Sequence, residues 1–220
     1  MGLIRLIKEE LKIIKERDPA IHSGLEVILY PSFKVMISYR ISHRLYCKGH
    51  YFLARLVSQK AARKTGIEIH PGAKIGSGLF IDHGHGVVIG ETTVIGDNCT
   101  LYQGVTLGGT GKEQGKRHPT LGNNVMVSAG AKVLGSFTIG DNSKIGAGSV
   151  VLSEVPPNST VVGVPGRVIK RSDCDCPQTA LNQTDLPDPV REDIVNLQRA
   201  NAELINRVLE LESRVKELSK

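Results

Sequence analysis

Aliphatic residues in the central part of this chain recur every six positions, at Ile69, Ile75 and Ile81, then at Ile89, Ile95, Leu101 and Leu107, and again at Leu121, Val127, Val133, Ile139, Ile145 and Val151. Four positions after many of them stands a small residue, as at Ala73, Thr93, Cys99, Val105, Ala131, Ser143 and Ser149. A helix needs apolar spacing near 3.6 and a half-buried strand needs alternation, so a period of six fits neither. It fits short strands that turn three times per coil, a triangular parallel β-helix, here predicted over residues 67–170. Glycine directly follows seven of these aliphatics (Gly76, Gly90, Gly96, Gly108, Gly122, Gly140 and Gly146), which predicts corners of positive φ at those positions. The period does not determine the hand of the coil, and the general preference is for right-handed crossovers.

The flanks follow a different pattern. Residues 1–66 read as a helical region: Leu3, Ile4, Leu6, Ile7, Leu11 and Ile14 make one apolar face, and further helices are expected over 32–47 and 51–64. Asp18 followed by Pro19 is predicted as a helix N-cap with proline in the first turn. Residues 171–190, with three prolines, read as a linker. In 191–220, Ile194, Leu197, Asn201, Leu204, Val208, Leu211, Val215 and Leu218 alternate at spacings of three and four, the seam of a short coiled coil. Asn201 in that seam would set its register, and Arg207 could pair with Glu212 of a parallel neighbour.

The hexad breaks twice, and polar residues gather at both breaks. Asp82-His83-Gly84-His85 interrupts it by two residues, and a longer loop over 109–120 carries Arg117-His118-Pro119. His83 is the candidate general base, because a neutral imidazole near pH 7 can take a proton from a hydroxyl within hydrogen-bond reach. Glu68, fifteen residues earlier and close to one coil away, is the candidate carboxylate to hold its tautomer.

Composition narrows the partners. The net charge is +6, yet aromatic residues make up 4% of the chain and tryptophan is absent, so platforms for stacking bases are few. A small anionic ligand accounts for the charge better than nucleic acid. The N-terminus breaks its apolar residues with charges and lacks the uninterrupted core of a signal peptide or membrane span. Cys47, Cys99, Cys174 and Cys176 show no metal or disulfide spacing, which suits free thiols in the cytoplasm, and no metal is expected.

Read together, Gly66-Ile-Glu-Ile-His-Pro-Gly-Ala-Lys-Ile-Gly, Asp82-His83-Gly84, Gly90-Glu91-Thr92, Val105-Thr-Leu-Gly-Gly-Thr-Gly-Lys, Arg117-His118-Pro119, Gly130-Ala-Lys-Val-Leu-Gly, Lys144-Ile-Gly-Ala-Gly-Ser-Val-Val and Val164-Pro-Gly resemble bacterial serine O-acetyltransferase. The resemblance runs from about Asp18 to about Arg171. It implies a left-handed β-helix of hexapeptide repeats, a trimer, and transfer of acetyl from acetyl-CoA to L-serine at the entry to cysteine synthesis. It implies that His83 deprotonates the serine hydroxyl and that Asp18 and Asp82 engage the amino acid. It further implies that Arg117 and His118 grip the serine carboxylate and that Gly109, Ala129 and Ala147 line the coenzyme A groove. The active site is then expected between neighbouring subunits, with L-cysteine as a feedback inhibitor. The chain has Glu68 where the family often has aspartate, and a shorter N-terminal region than many relatives. It ends Leu-Ser-Lys rather than in the isoleucine that docks into cysteine synthase, so that complex is not expected. Three other readings share the hexad: an O-acetyltransferase for a sugar or antibiotic, a zinc hydratase of the γ-carbonic anhydrase type with His83, His85 and His118 as ligands, and a catalytically silent assembly protein.

Overall fold

A computed structural model describes residues 11–18, 20–111, 114–171 and 189–218. Its centre is a three-sided prism of parallel strands. The first face stacks Glu68–Ile69, Val88–Ile89, Thr106–Gly108, Lys132–Leu134 and Val150–Val151, each strand paired with the next coil's. The second stacks Lys74–Ile75, Val94–Ile95, Thr120–Leu121 and Thr138–Ile139. The third stacks Phe80–Ile81, Thr100–Leu101, Met126–Val127, Lys144–Ile145 and Ser159–Val162, and Arg167–Arg171 closes it as an antiparallel strand.

All thirteen predicted aliphatics lie in these strands and point inward, none more than 7% exposed. Each pairs with an aliphatic of an adjoining coil, as Ile69 with Ile89, Ile89 with Leu107, and Leu107 with Val133. The regular coil is 18 residues, seen where Ile89 meets Leu107. Ile81 instead meets Leu101, two residues further on, and Ile95 meets Leu121, eight further on. The two breaks in the hexad are therefore insertions absorbed at single edges of the prism, with strand register regained beyond each. The small residues fill the space beneath the corners: Ala73, Thr93, Cys99, Val105, Ala131, Ser143 and Ser149 are all buried. Cys99 donates its thiol to Gly122 O (3.1 Å), and burial pushes that thiol up to about 11, marking it as core.

The predicted reason for the glycines is corrected. None of the seven that follow an aliphatic has positive φ; the left-handed residues come three positions after the aliphatic, at Gly78, Asn98, Gly104, Asn124, Gly130, Asn142 and Gly148. The seven are glycine largely because neighbouring coils touch there. A Cβ at Gly76, Gly96, Gly122 or Gly140 would collide with backbone of the adjoining coil, and one at Gly90 would enter the His118 ring.

Helices close the N-terminal end. In α1, residues 11–17 are described; α2 is Pro31–Cys47 and α3 is Tyr51–Thr65, close to the predicted spans. The helix α3 ends at Gly66, whose φ of 72° lets its N–H return to Ala62 O. Tyr39 donates to Ala73 O (2.7 Å) and accepts from Ile75 N, Arg40 donates to Ile75 O and Gly76 O, and Ser58 donates to Ile69 O. These bonds seat α2 and α3 on the first coil, and Val35, Met36 and Ala61 join the prism's core. Ile14 and Val27 pack with Phe80 on the outside of the third face, where Arg17 donates to Thr100 Oγ1 (2.8 Å). Asp18 does not cap a helix: it follows α1 and accepts Ala20 N–H (2.8 Å) in a turn.

The helix α4 (Pro189–Leu218) forms a separate unit. Its seam aliphatics Ile194, Leu197, Leu204, Val208, Leu211, Val215 and Leu218 are all exposed, and Arg207 reaches Glu210 of its own helix (3.5 Å). Predicted features in residues 1–10 and 172–188, including Cys174 and Cys176, lie outside the described residues.

Candidate active site

The prism has three edges, and the chemistry is divided between two of them. On the edge between the third and first faces, the two inserted residues force a run of left-handed backbone: His83 has φ 53°, Gly84 68° and Gly86 75°. A non-glycine residue in that region is strained, and histidine tolerates it better than most. The turn projects the His83 ring outward with its side chain 78% exposed, and its Nε2 lies 3.9 Å from Asp82 Oδ1. Tyr30, packed with Phe80 outside the third face, is held by a hydrogen bond to Asp18; that bond, with burial and the charges of Asp18, Glu26 and Asp82, pushes its phenol up to about 12. The charges of both Asp18 and Asp82 thus act on Tyr30 although 64 positions separate the two carboxylates.

The same edge continues up the coil as a column of backbone bonds. Gly104 N donates to His85 O, Gly130 N to Gln103 O and Gly148 N to Ala129 O, each at 2.8 Å. Ala129 and Ala147 therefore sit in line with the His83 turn, with small side chains and part of their surface open.

The edge between the first and second faces carries the eight-residue insertion, and its contacts are closer. Thr92 organises them: its Oγ1 accepts the backbone N–H of Arg117 (3.0 Å) and of His118 (3.1 Å). Thr92 N donates to His118 Nδ1 (3.2 Å), and Thr92 Oγ1 lies 2.9 Å from the same nitrogen. A backbone N–H can only donate, so His118 Nδ1 is an acceptor and the ring's proton belongs on Nε2. Burial, with the neighbouring Arg117 charge, lowers the His118 pKa and keeps the ring neutral. Arg117 NH2 meets Glu91 Oε2 at 2.5 Å, and Tyr46 OH donates to Glu91 Oε1 at 3.0 Å. Arg117 holds the Glu91 carboxyl below the usual range against the opposing effect of its burial, and Tyr46 helps. His70 stands edge-on to Tyr46, accepts Gly72 N–H at Nδ1 (3.0 Å), and is likewise lowered by burial. Lys116 Nζ ties the loop down through Thr92 O and Pro119 O. Gly109 opens this loop, with Arg117 backbone directly opposite.

Among the described residues, no hydrogen bond or ion pair joins the two groups. Asp82, His83, Ala129 and Ala147 belong to one edge, and Gly109, Arg117 and His118 to the other; Asp18 lies outside the prism, beside Tyr30. Glu68, on the face between them, pairs with Arg55 (3.7 Å) and makes no hydrogen bond or ion pair to His83. Sequence reasoning assigned no role to Tyr46, His70, Glu91 or Thr92. The available signal was that His70 and Glu91 stand just beyond inward aliphatics of successive coils, at the edge where the chain later inserts eight residues.

The third edge, between the second and third faces, carries no such cluster among the described residues. Gly78, Asn98, Asn124, Asn142 and Asn158 occupy its left-handed positions, and Asn124 donates to Asn142 Oδ1 (3.1 Å) and Asn142 to Asn158 Oδ1 (3.0 Å) in a ladder.

Two family models match the coils: bacterial transferase hexapeptide (six repeats) at residues 118–153 and the hexapeptide repeat of succinyl-transferase at 86–109. The serine acetyltransferase of Bacillus subtilis (strain 168) is 55% identical over 201 residues, 91% of this chain and 92% of that protein. Among solved structures, Neisseria gonorrhoeae serine acetyltransferase in complex with serine is similar with a TM-score of 0.73 at 45% identity, over 76% of this chain and 69% of that one. The Brucella abortus enzyme in complex with coenzyme A gives 0.74 at 42%, over 78% and 69%. A serine acetyltransferase complex with cysteine gives 0.79 at 40%, over 84% and 72%. The chain belongs to the serine acetyltransferase family, acyltransferases that draw on acetyl-CoA and carry their hexapeptide repeats on a left-handed parallel β-helix.

Proposed function

We propose that this chain transfers acetyl from acetyl-CoA to the hydroxyl of L-serine, with His83 as general base. The base takes the hydroxyl proton as the oxygen attacks the thioester carbonyl. The new C–O bond forms, the C–S bond breaks, and the proton passes to the departing sulfur to give free coenzyme A. Asp18 and Asp82 face the serine ammonium. Arg117 and the Nε2–H of neutral His118 hold its carboxylate, for which a guanidinium supplies paired donors. Asp82 is the carboxylate nearest the base, and Glu68 would have to turn from Arg55 to orient the imidazole. The coenzyme A arm runs along Ala129 and Ala147 with Gly109 opposite.

Membership of the family carries the reaction, and the division of the site between two edges carries the assembly. One copy supplies base and ammonium site, its neighbour supplies the carboxylate site, and three copies close a ring with three equivalent sites. The exposed seam of α4 fits a parallel coiled coil with further copies of the chain. Asn201 would meet its counterpart and Arg207 would exchange Glu210 for a neighbour's Glu212. L-cysteine, shaped like serine, competes at the same site, and the enzyme works in the cytoplasm at the first committed step from serine to cysteine.

The test is release of free coenzyme A thiol from acetyl-CoA by the purified protein with L-serine, with a galactoside, or with no acceptor. Release that requires L-serine is expected. Release with the galactoside instead, or bound zinc with no release at all, would sink the serine reading.

A further inference from the structure

Of the groups near the site, one set has no part in the reaction as written: Tyr46 on α2, and Glu91 beside Thr92. Both Glu91 carboxylate oxygens are engaged, Oε2 by Arg117 NH2 (2.5 Å) and Oε1 by Tyr46 OH (3.0 Å). The Arg117 NH1 points back to Gly115 O (3.4 Å), which leaves the rest of its five-donor fork uncommitted. Tyr46 is itself braced, edge-on against both Tyr51 and His70 with ring centres 5.0 and 5.9 Å away. Arg117 is carried on a loop eight residues longer than the coil requires, so the prism alone does not aim its side chain. The contact that does is a carboxylate fixed at its far oxygen by a helix outside the prism.

We propose that Glu91 and Tyr46 are positioning residues for substrate recognition: together they hold the Arg117 guanidinium in the orientation that receives the carboxylate of an α-amino acid. This rests on the reading of Arg117 as the carboxylate site. A free arginine side chain loses rotamer freedom on binding, and a guanidinium already anchored on one side gives up less. The anchor also discriminates. An acceptor without a carboxylate gains nothing from the aimed fork, so the pair tunes the enzyme toward amino acids over simple alcohols. The opposite role, a carboxylate that occupies Arg117 and must be displaced by substrate, predicts the reverse kinetics.

The experiment compares Glu91→Gln and Tyr46→Phe with the unaltered chain, measuring kcat and KM for L-serine, KM for acetyl-CoA, and kcat/KM for L-serinamide, which lacks the carboxylate. Glu91→Gln is expected to raise KM for serine about ten-fold or more, and Tyr46→Phe to raise it several-fold, with KM for acetyl-CoA unchanged and the preference for serine over serinamide reduced in step. An unchanged or lowered serine KM in both variants overturns the proposal. Parallel rises in both substrates' KM also overturn it, since they mark general loosening. If Glu91→Gln does not fold, Tyr46→Phe, which keeps the ring contacts, decides alone. Failure of the unaltered chain to turn over serine would fault the reaction assigned above; serine turnover with insensitive variants would fault only this inference.

Discussion

The three edges of the prism are built from one repeat, and they differ in what occupies the corners. On the asparagine edge every coil turns at a left-handed residue, and Asn124, Asn142 and Asn158 bond to one another along the stack. Asp97 and Asp141 there accept backbone N–H groups of adjoining coils, from Ser77 (2.7 Å) and Asn123 (2.6 Å). Each of these bonds joins one coil to the next within the prism. On the other two edges extra residues bring in further polar side chains: His83 projects from the stack, and the inserted loop lays Arg117 and His118 over Glu91 and Thr92. A solenoid thus separates stability from function by edge: the regular corner carries the ladder, and the corners that break the hexad carry chemistry.

The largest expected effect comes from the exposed base. His83→Ala is predicted to lower kcat by about 100-fold or more, because general-base assistance contributes typically 10² to 10⁴, while thermal stability changes little. Retained turnover would take the base off this edge. The next prediction joins the two functional edges. His83→Ala and Arg117→Ala chains are each expected to be nearly inactive alone. Mixed as subunits of one assembly, they should recover about a quarter of the normal activity, since random mixing pairs an intact His83 edge with an intact Arg117 edge at that frequency. No recovery in confirmed mixed assemblies would place both edges' work within single chains.

The comparison also explains what could be read from the sequence. Burial through a six-residue period leaves a local imprint, so all thirteen inward aliphatics, the small residues under the corners and both insertions were legible before the fold was known. The glycines were legible as corners, but their reason was not, because it lies in the next coil. His118 requires Gly90, and Asp141 abuts Gly122; such contacts connect residues about a coil apart and leave no local period. Asp18 looked like a helix cap because the residues fit one, yet its backbone turns at once and its carboxylate faces Tyr30. Tyr46, 45 positions before Glu91, was invisible for the same reason as Thr92, 26 before His118: helix docking and an inserted loop create the contacts. The left hand of the coil came from kinship, since the general chirality of parallel crossovers argues the other way.

On the regular edge the expected effects concern stability alone. Asn124 has φ 56° and donates to Asn142 Oδ1. Asn124→Gly keeps the backbone at ease and loses the bond, with a cost of about 1 kcal/mol, while Asn124→Ala adds left-handed strain of a further 1 kcal/mol or so. Denaturant melts would show that order, and kcat and KM should match the unaltered chain in both. A change in serine KM from either would blur the division between edges.

The smallest effect is a difference in acid sensitivity. His118 and His70 both stand on the Arg117 edge, and burial depresses both below the ordinary histidine value of 6.5. Between the depressed folded value and 6.5 the unfolded chain binds more protons than the folded one, so stability is full above 6.5 and declines as pH falls through that window. Glu91, depressed by Arg117 below 4.5, extends the decline to lower pH. Protonation of His118 also removes the acceptor that Thr92 N–H uses, which loosens the loop locally before the prism opens. The asparagine edge has no histidine at its corners and no such loss. Hydrogen exchange at pH 7 and pH 5.5, corrected for intrinsic rates, should therefore show protection falling at the amides of Thr92, Arg117 and His118 while Asn98, Asn124 and Asn142 hold theirs. Equal losses on the two edges would mean that the histidines are not the acid-labile element, and His118→Gln, which carries no titrating ring, should then leave the pH profile unmoved rather than flatten it.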